Sequence, residues 1–153
     1  MIRIMFVCTG NICRSPMAEL VMKQLVRREG LDWVISPAAN TGDEVGNPVY
    51  PPVRALLEAR GISCKGKYSV QLRREDYPNY DYFIGMDARN RRDMLRIFGG
   101  DPENKVHLLL DYTDHPHEIA DPWYTRDFRK AEAEINEGCA ALLRTLRARD
   151  NTR

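Results

Sequence analysis

The chain has 153 residues, 23 basic and 22 acidic side chains, a net charge of +1 and 43% hydrophobic residues. That length suits one domain, residues 1–153, which buries enough surface to hold a core without a disulfide or metal staple. The charge balance gives no general pull toward nucleic acid or an anionic membrane, no apolar run approaches the roughly 18 residues of a membrane helix, and an N-terminus with Arg3 as its one early cation is no secretory signal.

The elements follow in order. Residues 2–8, nearly all apolar, read as a strand buried on both faces of a parallel sheet. A glycine-containing loop follows, and Pro16 opens a helix running to about Glu29, stopped by Gly30. Trp33-Val34-Ile35 reads as a second strand, and the Pro-, Gly-, Asn- and Asp-rich segment from Ser36 to Pro52 as a long loop. Helical spacing resumes at Pro52 and ends at Gly61. Residues 82–86 predict a third strand, and Asp87 offers an N-cap for a helix closed by Gly99-Gly100. The arginines at 89, 91, 92 and 96 read as its wet face. Val106 to Leu110 predicts a fourth strand, a polar loop with His115 and His117 follows, and a helix from about Thr125 to Arg147 closes the chain, with the last few residues expected to be disordered. Alternating strands and helices mean right-handed crossovers and a four-stranded parallel sheet with helices on both faces, a three-layer α/β fold. Ligands of such sheets bind outside the carboxyl ends of the strands. The loops at 8–15 and 111–124 leave those ends.

Residues 8–16 read Cys-Thr-Gly-Asn-Ile-Cys-Arg-Ser-Pro. A loop of this length can curl so that its N–H groups point inward, with Gly10 and Asn11 the residues most able to take the positive φ that such a nest needs. The helix behind it adds its positive end. Arg14 adds a planar fork for two oxygens of a tetrahedral anion. The same field stabilises negative charge on the sulfur of Cys8, and Ser15 can hydrogen-bond that sulfur. A loop that binds an oxyanion and aims a nucleophile at its centre calls for phosphoryl transfer through a covalent thiophosphate. Thr9, Gly10, Asn11, Ile12, Cys13 and Ser15 form the binding set. A lone cysteine here would more often be a small buried hydrophobe. The ordered company of Gly, Asn, Arg, Ser and Pro reverses that. No Gly-Lys-Ser/Thr ending and no Gly-x-Gly-x-x-Gly is present, so the nucleotide-loop readings fail.

Cys8 to Pro16, followed by Met17-Ala18-Glu19, resembles the low-molecular-weight protein tyrosine phosphatases, and the resemblance extends to Ser36, to 52–62, to 82–94 and to Asp121-Pro122-Trp123-Tyr124. It implies a flavodoxin-like fold and a metal-free, cofactor-free cytoplasmic phosphatase acting on phosphotyrosine proteins. Inorganic phosphate or sulfate would be an active-site ligand, and the enzyme a monomer or weak dimer without nucleic-acid or membrane partners. It assigns Asp121 as the acid that protonates the phenolate leaving group and then the base that activates water. From the residues alone, Asp111, Asp114 and Glu118 remain alternatives, and Asp-Pro could be only a turn or a cap. Trp123 and Tyr124 could stack on an aromatic substrate, one as wall and one as core or hinge. Asn11 and Ser36 resemble the family's polar support for the loop. Cys13 resembles its second loop cysteine, which can pair with the nucleophile on oxidation. Cys64 and Cys139 read as structural. Two positions depart from the family: Asn40 to Gly46 holds no aromatic where relatives place a wall of the slot, and Lys67-Tyr68 stands where a supporting histidine is expected.

Three rivals remain. An arsenate reductase on this scaffold needs two further cysteines close together, and Cys64 and Cys139 are far apart. A protein-arginine phosphatase resembles this chain less, since that subgroup carries threonine where this chain has Ile12. A non-catalytic phosphate-binding module would not need Cys8, Arg14 and Asp121 together.

Overall fold

The computed structural model describes residues 1–151. Four parallel strands, β1 (Arg3–Cys8), β2 (Val34–Ala39), β3 (Tyr82–Gly85) and β4 (Val106–Leu108), lie in the order β2-β1-β3-β4. Five helices accompany them: α1 (Arg14–Arg28), α2 (Pro51–Glu58), α3 (Ala88–Phe98), α4 (Pro122–Thr125) and α5 (Phe128–Asn151). The expected disorder of the chain end concerns Thr152 and Arg153, which lie outside the described residues.

The unbroken apolar run of β1 follows from a core on each face. Ile2, Ile4, Phe6 and Cys8 enter one cluster with α1 and α5, whereas Met5 and Val7 enter another with Phe83, Met94 and Phe98 under α3. Period-two alternation thus sends Cys8 to the α1 side of the sheet. Chain order reverses between β1 and β3, so the carboxyl end of β1 is the switch point, where the surrounding loops open a crevice. The arginines of α3 are all exposed, as its apolar spacing predicts.

Several boundaries differ from the sequence reading. β2 continues to Ala39 through Pro37. Val34 and Asn40 donate to the carbonyls of Ile2 and Cys8 on β1, so the alternate position of Pro37 faces away from that ladder, where its missing N–H costs nothing. β4 stops at Leu108 and rolls into a 3-10 turn over Leu109–Tyr112 that buries Leu109 and Leu110. The closing helix starts at Phe128, later than expected, and the polar loop before it holds a short helix, α4, which Arg126 in a left-handed conformation (φ 62°) separates from α5. A 3-10 turn over Arg74–Asn79 forms where the sequence shows no helical periodicity. α1 begins at Arg14, two residues before Pro16, so the arginine of the loop is already helical.

Candidate active site

β1 ends at Cys8, the chain curls through residues 9–13, and α1 starts at Arg14. Asn11 has φ 56°, as the nest requires, but Gly10 does not share the positive φ expected of it. Its missing side chain answers a close approach instead: a Cβ there would lie 3.1 Å from Cγ of Glu44. The Cys8 sulfur sits in the floor. It receives the N–H of Ser15 at 3.3 Å and lies 3.1 Å from Ser15 Oγ. Ser15 Oγ in turn donates to Asn11 Oδ1 at 2.7 Å. The single hydroxyl proton can therefore serve the asparagine or swing to the sulfur, so the support of the loop and of the nucleophile meet in one group.

Arg14 is 1% exposed and almost fully committed. Its Nη1 donates to Asp87 Oδ2 and to the carbonyl of Ile119, both at 2.7 Å, while Nη2 makes a long 3.4 Å contact with Asp121 Oδ2. Its Nε has no hydrogen-bond partner among the described residues despite burial. The fork available to an anion is therefore the Nε–Nη2 edge, with Nη1 used as the anchor. Burial alone would weaken the guanidinium's hold on its proton. The charges of Cys8, Asp121 and Asp87 outweigh it, and the pKa moves upward. Cys13 behaves oppositely to a nucleophile: burial, then the nearby charges of Cys8 and Asp121, push its pKa up, and it stays a thiol.

Asp121 reaches the same cleft from the fourth-strand side. The cap reading holds: Oδ1 caps α4 by accepting the N–H of Trp123 at 3.0 Å, while Oδ2 faces Arg14. Of the alternative acids, Glu118 accepts the N–H of Ala88 and Asp111 that of Leu108. Asp121 lines the cleft with Cys8, Thr9, Gly10, Ile12 and Cys13, and Asp111, Asp114 and Glu118 do not. Trp123 and Tyr124 form one wall. Trp123 leans on Tyr50 with ring centroids 4.7 Å apart, and Tyr50 stacks on Phe128. Tyr124 is 73% exposed. The facing wall comes from Thr41, Asp43 and Glu44, which puts carboxylates where an aromatic is absent.

Ser36 is corrected. It lies within β2 and accepts a hydrogen bond from Tyr80 at 2.9 Å, away from the loop. Asn11 takes part in the polar support through Ser15 Oγ, and further support comes from residues with no such signal in the sequence. Asn90, fully buried, donates to Asn40 Oδ1 at 2.9 Å and approaches Thr9 Oγ1 at 3.4 Å, and Asn40 is held by Asp93 at 2.7 Å. Lys67, standing where a histidine was expected, pairs with the buried Glu19 of α1, as does Lys23. Asp87 caps α3 as its sequence position predicts. Its other oxygen anchors Arg14, a role signalled by its place just beyond the carboxyl end of a central strand. Cys64 and Cys139 are buried free thiols, as expected of structural cysteines.

Fold and site together define an α/β protein of flavodoxin-like architecture whose first strand-to-helix loop carries a cysteine and an arginine. A family model described as low molecular weight phosphotyrosine protein phosphatase matches residues 3–152. The chain belongs to that family. It is 35% identical over 150 residues to the low molecular weight protein-tyrosine-phosphatase YfkJ of Bacillus subtilis, covering 95% of this chain and 96% of that protein. The crystal structure of YfkJ matches with a TM-score of 0.93 at 34% identity, covering 97% and 96% of the two chains. The human low molecular weight phosphotyrosine protein phosphatase is 35% identical over 154 residues, 92% of each chain. DARP, a Drosophila arginine phosphatase, matches with a TM-score of 0.86 at 28% identity, covering 94% and 96%.

Proposed function

We propose that this chain hydrolyses phosphotyrosine in proteins, and aryl phosphates generally, through a cysteinyl-phosphate intermediate. One observation carries the reading: the buried Nε of Arg14, unpartnered among the described residues, beside a cleft that holds both the Cys8 sulfur and the Asp121 carboxyl. The phosphoryl oxygens take the Arg14 edge and the loop N–H groups, which complement charge as it spreads over them. The Cys8 thiolate attacks phosphorus while the ester P–O bond breaks, and Asp121 gives its proton to the departing phenolate. Asp121 then takes a proton from water as that water attacks phosphorus, the P–S bond breaks, and phosphate leaves with the thiolate restored.

Trp123 and Tyr124 flank the phenyl ring, and the mixture of apolar wall and polar floor suits an aryl phosphate. The resemblance supports a cytoplasmic monomer or weak dimer. Among the described residues no helix is long and apolar enough to cross a membrane. The deciding experiment is rapid acid quench with a phosphotyrosine peptide, without added metal. Phosphate recovered on Cys8 is expected. Phosphate release with no phosphoprotein at any quench time overturns the covalent route. A parallel phosphoarginine peptide is expected to turn over more slowly.

A further inference from the structure

The amides that face the anion are set by what grips their carbonyls from behind. In a trans peptide unit the C=O and the following N–H point in opposite directions, so a carbonyl held outward turns the next N–H inward. No peptide bond here is cis, and four units of the loop are gripped in this way. Cys8 O accepts the N–H of Asn40 at 3.0 Å, and Ile12 O accepts that of Tyr50 at 2.9 Å. Thr9 O accepts the N–H of Thr41 at 3.2 Å and its hydroxyl at 2.9 Å. Gly10 O accepts the hydroxyl of Ser69 at 2.7 Å. The N–H groups of residues 10–13 find no protein acceptor among the described residues.

Three of these grips use a backbone donor, which almost any sequence supplies. Of the four, the Gly10 carbonyl is the one held by a side chain without a backbone donor. It is also the unit most in need of a grip. Gly10 is the most permissive residue for rotation, and Asn11 after it holds a left-handed φ of 56° that L-residues leave when they can. Turning the 10–11 peptide over would relieve Asn11 and point its N–H away from the cleft. Ser69 is well placed to prevent this. It is 2% exposed, and its backbone is pinned by two bonds, Ser69 N–H to Asn47 O at 2.7 Å and Gly46 N–H to Ser69 O at 2.9 Å.

We propose that Ser69, from outside the loop, is a positioning residue: its hydroxyl locks the Gly10–Asn11 peptide with the amide turned toward the phosphoryl group. The proposal rests on the phosphatase reading above. Its effect is preorganisation, since a donor already aimed needs no rearrangement when charge develops. Ser69 touches no substrate, so its loss weakens oxyanion binding and turnover together.

The test uses Ser69→Ala and the near-isosteric, poorly donating Ser69→Cys in the full chain. Inhibition by inorganic phosphate, kcat/KM for p-nitrophenyl phosphate, thermal melting and the backbone amide resonance of Asn11 are measured. Both variants are expected to bind phosphate and turn over about tenfold to hundredfold less well, with the Asn11 amide shifted or exchange-broadened and Ser69→Thr restoring part of the loss. If Ser69→Ala fails to fold, Ser69→Cys gives the same readings. Phosphate inhibition and kcat/KM within twofold of the parent in either folded variant overturn the proposal. A parent protein that neither binds phosphate nor cleaves p-nitrophenyl phosphate overturns the function itself, and is told apart by the unsubstituted chain alone.

Discussion

Arg14 Nη1 stands 2.7 Å from Asp87 Oδ2, and the other oxygen of the same carboxylate caps α3 by accepting the N–H of Asn90 at 2.8 Å. One aspartate thus ties the phosphate loop to the end of β3. Asn is as good a cap as Asp, so Asp87→Asn removes the charge and leaves the helix start intact. It is expected to cost about 1.5–3 kcal/mol of stability, the range for a hydrogen bond to a charged group, and to lower kcat/KM at least tenfold as Arg14 loses its anchor. Urea denaturation and p-nitrophenyl phosphate kinetics check both.

Cys8→Ser keeps the loop amides and the arginine edge but offers a far weaker nucleophile. It is expected to abolish turnover while still binding phosphate by calorimetry. Asp121→Asn is expected to slow phenyl phosphate far more than p-nitrophenyl phosphate, because only the poorer leaving group needs the proton. Equal slowing of the two would assign the acid elsewhere.

The sheet and the phosphate loop were legible because each is written locally. β1 is apolar without interruption since both faces are covered, and Cys8 to Pro16 is contiguous chain. The grip on that loop was not legible, because its parts come together only in three dimensions. Asp87 reaches Arg14 across 73 positions and Ile119 across 105. Ser69 and Asn90 are polar residues whose burial no local pattern announces. Ser36 failed in the opposite way: as a serine near the right place in the chain it resembled a support, but the extension of β2 through Pro37 carries it to Tyr80 instead.

The wall opposite Trp123 and Tyr124 carries charge. Asp43 is exposed with no partner among the described residues, while Glu44 is held by Asn47. Phosphotyrosine peptides with lysine beside the phosphorylated residue are expected to exceed their glutamate counterparts in kcat/KM by up to about fivefold at low salt. That corresponds to the 1 kcal/mol ceiling of an exposed pair. The gap should shrink in 0.5 M NaCl and with Asp43→Asn. A gap that ignores both salt and Asp43→Asn would place the selectivity in another residue.

His117 links the loop between β4 and α4 to α5 by pairing with Glu134. That hydrogen bond first, then the carbonyl of His115, raises the imidazole pKa. A group whose folded pKa is raised lends its stability below the unfolded value of about 6.5 and loses it as pH climbs through the folded value. Glu134→Gln is therefore expected to lower the melting temperature at pH 5.5 and to leave it unchanged at pH 9. Proton NMR titration should place the His117 midpoint above the unfolded value of about 6.5.

The aromatic series from Trp123 through Tyr50 to Phe128, with the Arg126 guanidinium laid over the last two rings, has its roots at the starts of α2 and α5. None of these side chains carries out a bond-making step. The gape of the mouth is consequently governed by helix beginnings remote from the sulfur. Substitutions along that stack can widen or narrow what is admitted while the reacting centre keeps its shape, leaving selectivity and chemistry free to drift apart.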